Sequence, residues 1–167
     1  MMTFSRMLWV LVLLSATASV TNAQPNLTGE WQISEESGDS NLSPIGRRGT
    51  IVQTPQTLTT TPIAITRRPS NLDGKSRTFR FDGSEVRDTG TSATGEAVLW
   101  VSQSRWISSA LLITTSHPRT GDSEGGWTSM TILSLRSGGY LEILMISPNL
   151  WPSGTTATMR FAYRRTS

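Results

Sequence analysis

Side chains able to do covalent or acid–base chemistry are few in this chain. Gly121-Asp122-Ser123-Glu124-Gly125-Gly126 sets a serine between glycines with the G-x-S-x-G spacing of a nucleophile elbow, and His117, the one histidine of the chain, precedes it. An elbow needs a strand running into the turn and a helix leaving it, so that the serine is held at a strained corner beside an oxyanion hole. Here the segment that follows, Trp127–Leu135, is patterned as a strand, and the run reads as a polar hairpin loop. Gly38-Asp39-Ser40 offers a second serine, but no strand precedes it, and Thr114 stands where an Asp-x-x-His pair with His117 would need its carboxylate. Glu30, Glu85, Asp88, Glu96 and Glu142 lie on or beside strand-like segments, yet their spacing singles out no pair for acid–base work across a cleft of about 5–10 Å. The absence of cysteine excludes disulfides, thiolate zinc sites and cysteine nucleophiles, and a single histidine excludes multi-histidine metal sites. The chain is therefore read as no enzyme, with no catalytic residue, no metal ligand and no cofactor expected.

What remains is hydroxyl-rich: the 167 residues include 47 serines and threonines against one lysine. At the N-terminus, Arg6 is followed by the apolar run Leu8–Leu14 and a small, polar stretch to Ala23, the layout of a secretory signal peptide. The run is too short for a membrane span, which needs roughly 20 apolar residues. Cleavage fits after Ala18 or after Ala23. The second is preferred, giving a leader over 1–23 and a single domain over 24–167, exported to a periplasmic or extracellular space, with no transmembrane segment once the leader is removed. Of the 15 lysines and arginines only Arg6 lies in the leader, so the mature chain, with 12 acidic residues, is nearly neutral. The pairs Arg47-Arg48, Arg67-Arg68 and Arg164-Arg165 then make no nucleic-acid surface, and no nucleic acid is expected as a partner.

The elements that must carry any site are strands. Thr, Val, Ile, Trp and Phe gather in short runs bounded by Gly, Pro, Asn, Asp and Ser, and no segment holds a helical period. Strands are predicted at Gly29–Ser34, Thr50–Thr54, Thr57–Thr66, Arg77–Phe81, Glu85–Asp88, Glu96–Gln103, Ser108–Ser116, Trp127–Leu135, Tyr140–Ser147 and Thr155–Arg165. Asp82-Gly83 and Ser137-Gly138-Gly139 read as hairpin turns, so an antiparallel meander is the simplest topology. In the last strand Ala157, Met159, Phe161 and Tyr163 alternate with Thr158, Arg160, Ala162 and Arg164, which makes the odd face the buried one. Ala97–Val101, Ala110–Ile113 and Leu141–Ile146 are apolar on both faces and need a cover on each side: core on one, and a ligand, a loop, a second copy or a protein partner on the other. The serines and threonines are assigned to solvent faces and loops.

Gly29-Glu30-Trp31 opens the first strand just after the leader. It resembles the Gly-x-Trp signature of lipocalins and the wider calycin group of small antiparallel barrels. The resemblance implies that Trp31 closes one end of the barrel and that an arginine near the end of the last strand stacks across it. Arg165 shares the face of Phe161 and Tyr163 and is the residue placed for that contact. Thr78–Glu85, Ala110–Thr115 and Phe161–Arg165 are similar to a group of small exported bacterial lipocalin-like proteins with no established activity. The chain departs from lipocalins in lacking cysteine and a C-terminal helix.

The fold expected is all-β, an antiparallel meander forming a barrel or strongly curved half-barrel of eight to ten strands. The function expected is a non-catalytic binding protein holding a small apolar or amphipathic ligand against Phe79, Phe81, Trp100, Met130, Met145 and Phe161, residues that would equally serve as core. The alternative is a structural or interaction module without a ligand cavity, whose two-sided apolar strands meet a protein partner or form a homodimer.

Overall fold

The structure, a computed structural model, describes residues 24–37, 43–64, 75–91, 97–117, 127–148 and 156–166. They form ten strands and no helix: β1 (Gly29–Ser37), β2 (Arg48–Gln53), β3 (Thr57–Ala64), β4 (Arg77–Arg80), β5 (Val86–Thr91), β6 (Ala97–Ile107), β7 (Ala110–His117), β8 (Trp127–Arg136), β9 (Tyr140–Ser147) and β10 (Ala157–Arg165). All neighbours pair antiparallel in the order β4-β3-β2-β1-β10-β9-β8-β7-β6-β5. The sheet thus curls into a nearly closed barrel, as the all-β meander reading predicts, with β1 laddered to β10 and the seam falling between β4 and β5.

That seam corrects the hairpin expected at Asp82-Gly83. The turn is there: Gly83 has φ 76° and the Ser84 amide donates to Asp82 Oδ1 at 3.0 Å. The strands it joins are the two edges of the sheet, however, and do not ladder with each other. The gap is bridged from β4 to β6 instead. Ser104 Oγ donates to the Arg80 carbonyl at 2.7 Å and the Gly83 amide to the Ser104 carbonyl at 3.1 Å. A second correction concerns β6, which runs on to Ile107 and turns through Ser108, a non-glycine residue at φ 54°. At Ser137-Gly138-Gly139 the expected turn forms, with φ of 87° and 77° at the two glycines, a region that side chains with a Cβ rarely enter.

A meander puts alternate connections at opposite ends of the barrel. Residues 54–56, 81–85, 108–109 and 137–139 make short turns at one end, where β1 also begins and β10 ends; at the other end the strands are joined through longer connections that lie largely outside the described residues. At the short-turn end the interior is sealed. Leu27, Trp31, Ile45, Leu133, Leu141, Ile143, Phe161 and Tyr163 are fully buried there or in the adjoining core. Residues 43–46 tuck inside, and the Tyr163 hydroxyl lies 2.6 Å from Ser43 Oγ and 2.7 Å from the Gly46 carbonyl oxygen. Trp31 Nε1 donates to the Leu27 carbonyl at 2.9 Å, the Arg165 guanidinium carbon sits 4.8 Å from the Trp31 ring centroid, and Arg165 Nη2 donates to the Asn26 carbonyl. Arg164, on the opposite face, lies over Tyr140.

Candidate ligand site

The inner wall changes character along the barrel. Register places Trp106, Leu111, Leu133, Ile143 and Phe161 side by side in one apolar ring. The next ring toward the long connections is mixed, with Ser104, Ile113, Thr131, Met145 and Met159. Beyond it the wall is hydroxyl: Ser102 faces Thr115, Thr115 faces Ser129, and Ser147 stands one residue past Ile146, the partner of Met130, at the level of Ser129. Ser102, Thr115, Ser129 and Ser147 are all buried. On the other side of the seam the belt continues with Thr60, fully buried on β3, directly opposite Arg77 on β4.

Arg77 shares its face with the core residue Phe79, so the parity of a four-residue strand turns its side chain inward. Its side chain is 13% exposed, its Nη2 donates to Ser102 Oγ at 3.1 Å, and Ser102 Oγ in turn lies 3.1 Å from Thr115 Oγ1. The guanidinium stacks 4.6 Å from the Trp100 ring centroid and 5.3 Å from that of Phe79. Among the described residues its carboxylate neighbour is Asp88, 4.0 Å from Nε and 48% exposed. Burial pushes the Arg77 guanidinium below its ordinary pKa, opposed by the Asp88 charge, and an arginine stays protonated throughout. Thr60 Oγ1 and Ser147 Oγ are buried without a hydrogen-bond partner. Such groups ordinarily find one, because leaving a hydroxyl dry and unpaired costs about 1–3 kcal/mol.

The residues named from the sequence distribute unevenly around this belt. Trp100 stands one inward position beyond it, its ring against Arg77. Met145, half-buried, sits one ring below, opposite Thr131. Phe79 and Phe161 are packed into the core, and half-buried Phe81 meets Trp106 edge-on at 5.5 Å near the short-turn end. Met130 is misplaced: its neighbours Ser129 and Thr131 face inward, so Met130 is on the outer wall, 40% exposed and opposite Ile146. The assignment of hydroxyls to solvent faces and loops also needs correcting, since those of the belt line the interior. Arg77 and the belt were missed. The signal was parity, which puts Arg77 with Phe79, Ser102 with Ser104, and Ser129 with Leu133.

Among the described residues the carboxylates find arginines rather than one another. Glu30 pairs with Arg48, Glu85 with Arg87, and Glu142 with both Arg136 and Arg160 on the outer wall. Ser123, Glu96, Arg67, Arg68, the Gly38-Asp39-Ser40 segment and residues 1–23, where a leader is expected, lie outside the described residues. A scan against protein-family models found no match, and a search of curated proteins found no significant similarity.

Proposed function

We propose that this chain is an exported, non-catalytic, lipocalin-like binding protein that takes one small amphipathic ligand at the hydroxyl-belted end of its barrel. The observation that carries the reading is the inner belt itself. A barrel interior serving only as core gains nothing from buried, unpaired hydroxyls and a desolvated arginine, whereas a ligand with a polar group and an apolar body uses both the belt and the Met145–Met159 ring below it. The sealed short-turn end leaves the other end for entry.

The test is titration of the folded, leader-free protein with the uncharged fluorophore N-phenyl-1-naphthylamine. Saturable enhancement that falls at least several-fold in Met145→Glu, with unchanged circular dichroism, supports the reading. A native protein that binds no such probe overturns it.

A second reading rests on the outer wall, where half-buried Leu112, Ile132, Leu144 and Ile146 adjoin exposed Met130 on β7, β8 and β9. A protein partner or second copy would cover such a face. It predicts a dimer or larger complex in size-exclusion chromatography that Met130→Glu disperses, and a strict monomer opposes it.

A further inference from the structure

Among the described residues of the inner wall, the more buried charge is Arg77, 13% exposed, against 48% for Asp88. The compensation of Arg77 is partial: one hydrogen bond to a neutral hydroxyl and a carboxylate at 4.0 Å that is about half exposed. A guanidinium has five N–H donors in a planar fork, and a fully paired buried arginine takes a carboxylate in two-pronged fashion. Across the ladder from Arg77 stands Thr60, whose fully buried hydroxyl has no partner. A cation with donors to spare, an unpaired hydroxyl facing it in register, and a flat indole stacked against it form a receptor for one chemical class.

We infer that Arg77 and Thr60 anchor an oxyanion group, a carboxylate or sulfate, on the amphipathic ligand. This inference rests on the binding role proposed above and specifies the ligand's head group. Desolvation strengthens the attraction of Arg77 for an anion, since within the barrel less water screens the charge. Asp88 opposes that attraction, and its exposure weakens the opposition. A cationic head group would reverse both roles and would sit poorly against a buried arginine.

Competition with N-phenyl-1-naphthylamine tests the assignment, using decanoate, decyl sulfate and 1-decanol as matched competitors below their micellar concentrations. At least one oxyanion is expected to bind about tenfold or more tightly than the alcohol, the difference a charge-assisted hydrogen bond makes. Which of the two it is identifies the head group. Arg77→Gln is expected to abolish the preference, oxyanion affinity falling about tenfold toward that of 1-decanol, and Asp88→Asn to widen it several-fold. If Arg77 merely bridges β4 to Ser102, Arg77→Gln lowers the melting temperature and leaves the ratio unchanged, which overturns the inference. Should Arg77→Gln fail to fold, Thr60→Val decides: a preference reduced several-fold supports the anchor, and an unchanged one overturns it. Equal binding of acids and alcohol by the native protein overturns the anchor while the binding role stands. Displacement by none of the three, with the fluorophore still bound, overturns the decyl-oxyanion assignment. No binding of the fluorophore at all removes the binding role itself.

Discussion

Glu142 shows how a single charge can be held against a wall that reads as apolar. It interrupts the run Leu141–Ile146 on the outer side of β9, its side chain is 9% exposed, and the guanidinium groups of Arg136 on β8 and Arg160 on β10 close over it. Arg136 Nε donates to Oε1 at 2.8 Å and Arg160 Nε to Oε2 at 2.6 Å. Burial raises the Glu142 carboxyl, but the two arginines, by hydrogen bond and charge, outweigh it and hold the group below its ordinary range. A depressed folded-state pKa stabilises above the unfolded pKa, and that contribution fades as pH falls from there through the folded value. Glu142→Gln should therefore cost about 1–2 kcal/mol in urea unfolding at neutral pH, with exposure of both arginines limiting the loss. The gap from the native protein should shrink below about pH 4, near the free carboxyl value. A gap independent of pH would refute the ion-pair account. Gly49 is constrained differently, by space. A Cβ there would stand 2.5 Å from the Ile45 carbonyl oxygen and 2.8 Å from that of Thr61, both backbone atoms. Gly49→Ala should destabilise by about 1–3 kcal/mol, read from the thermal or urea midpoint, because the tucked segment must shift.

Among the strands, β4 is the least secured. It has four residues and one ladder, to β3, and among the described residues Ser104, Gly83 and Arg77 supply the hydrogen bonds that hold it against β6. Hydrogen-exchange mass spectrometry should find β4 and β5 exchanging well before β8 and β9, each laddered on both sides. Ser104→Ala, losing one partly buried bond worth about 1 kcal/mol, should speed β4 several-fold and leave β9 unchanged. The same seam explains what the sequence did and did not disclose. Runs of strand formers between turn residues placed all ten strands, because β-branched and aromatic side chains fit a pleated sheet and Gly, Asn and Asp fit its turns. Asp82-Gly83 signals a turn but cannot say which strands pair, since that depends on where the barrel runs out of ladder. Ser108-Ser109 carries no glycine and hides a tight turn, so β6 was read four residues short. Met130 looked like core by its type, and only the parity of Ser129 and Thr131 shows otherwise. Arg77 and the hydroxyl belt were legible in the same parity, but a polar residue on an inward face contradicts the rule that assigns faces by hydropathy. The site was hidden where the rule fails.

For the molecule as a whole, the sealed apolar half and the hydroxyl-belted half bear different loads. The first buries Trp31, Tyr163, Phe161 and the aliphatic rings between them, supplying the hydrophobic term that holds a cysteine-free chain together. The second sacrifices part of that term, because Thr60 Oγ1 and Ser147 Oγ are buried without partners. If the belt exists for a ligand, removing those hydroxyls should trade function for stability. Thr60→Val keeps the shape and removes an unpaired polar atom, and Ser147→Ala does so with a small loss of volume. Each is expected to raise stability by up to about 1 kcal/mol in the ligand-free protein. The double variant should unfold at a higher temperature than the native chain while binding decanoate or decyl sulfate more weakly. Calorimetry of the free protein and fluorophore competition on the same samples measure the two effects together. A double variant that is less stable than the native protein would show that the hydroxyls serve the fold, and the belt would then be architecture rather than a receptor.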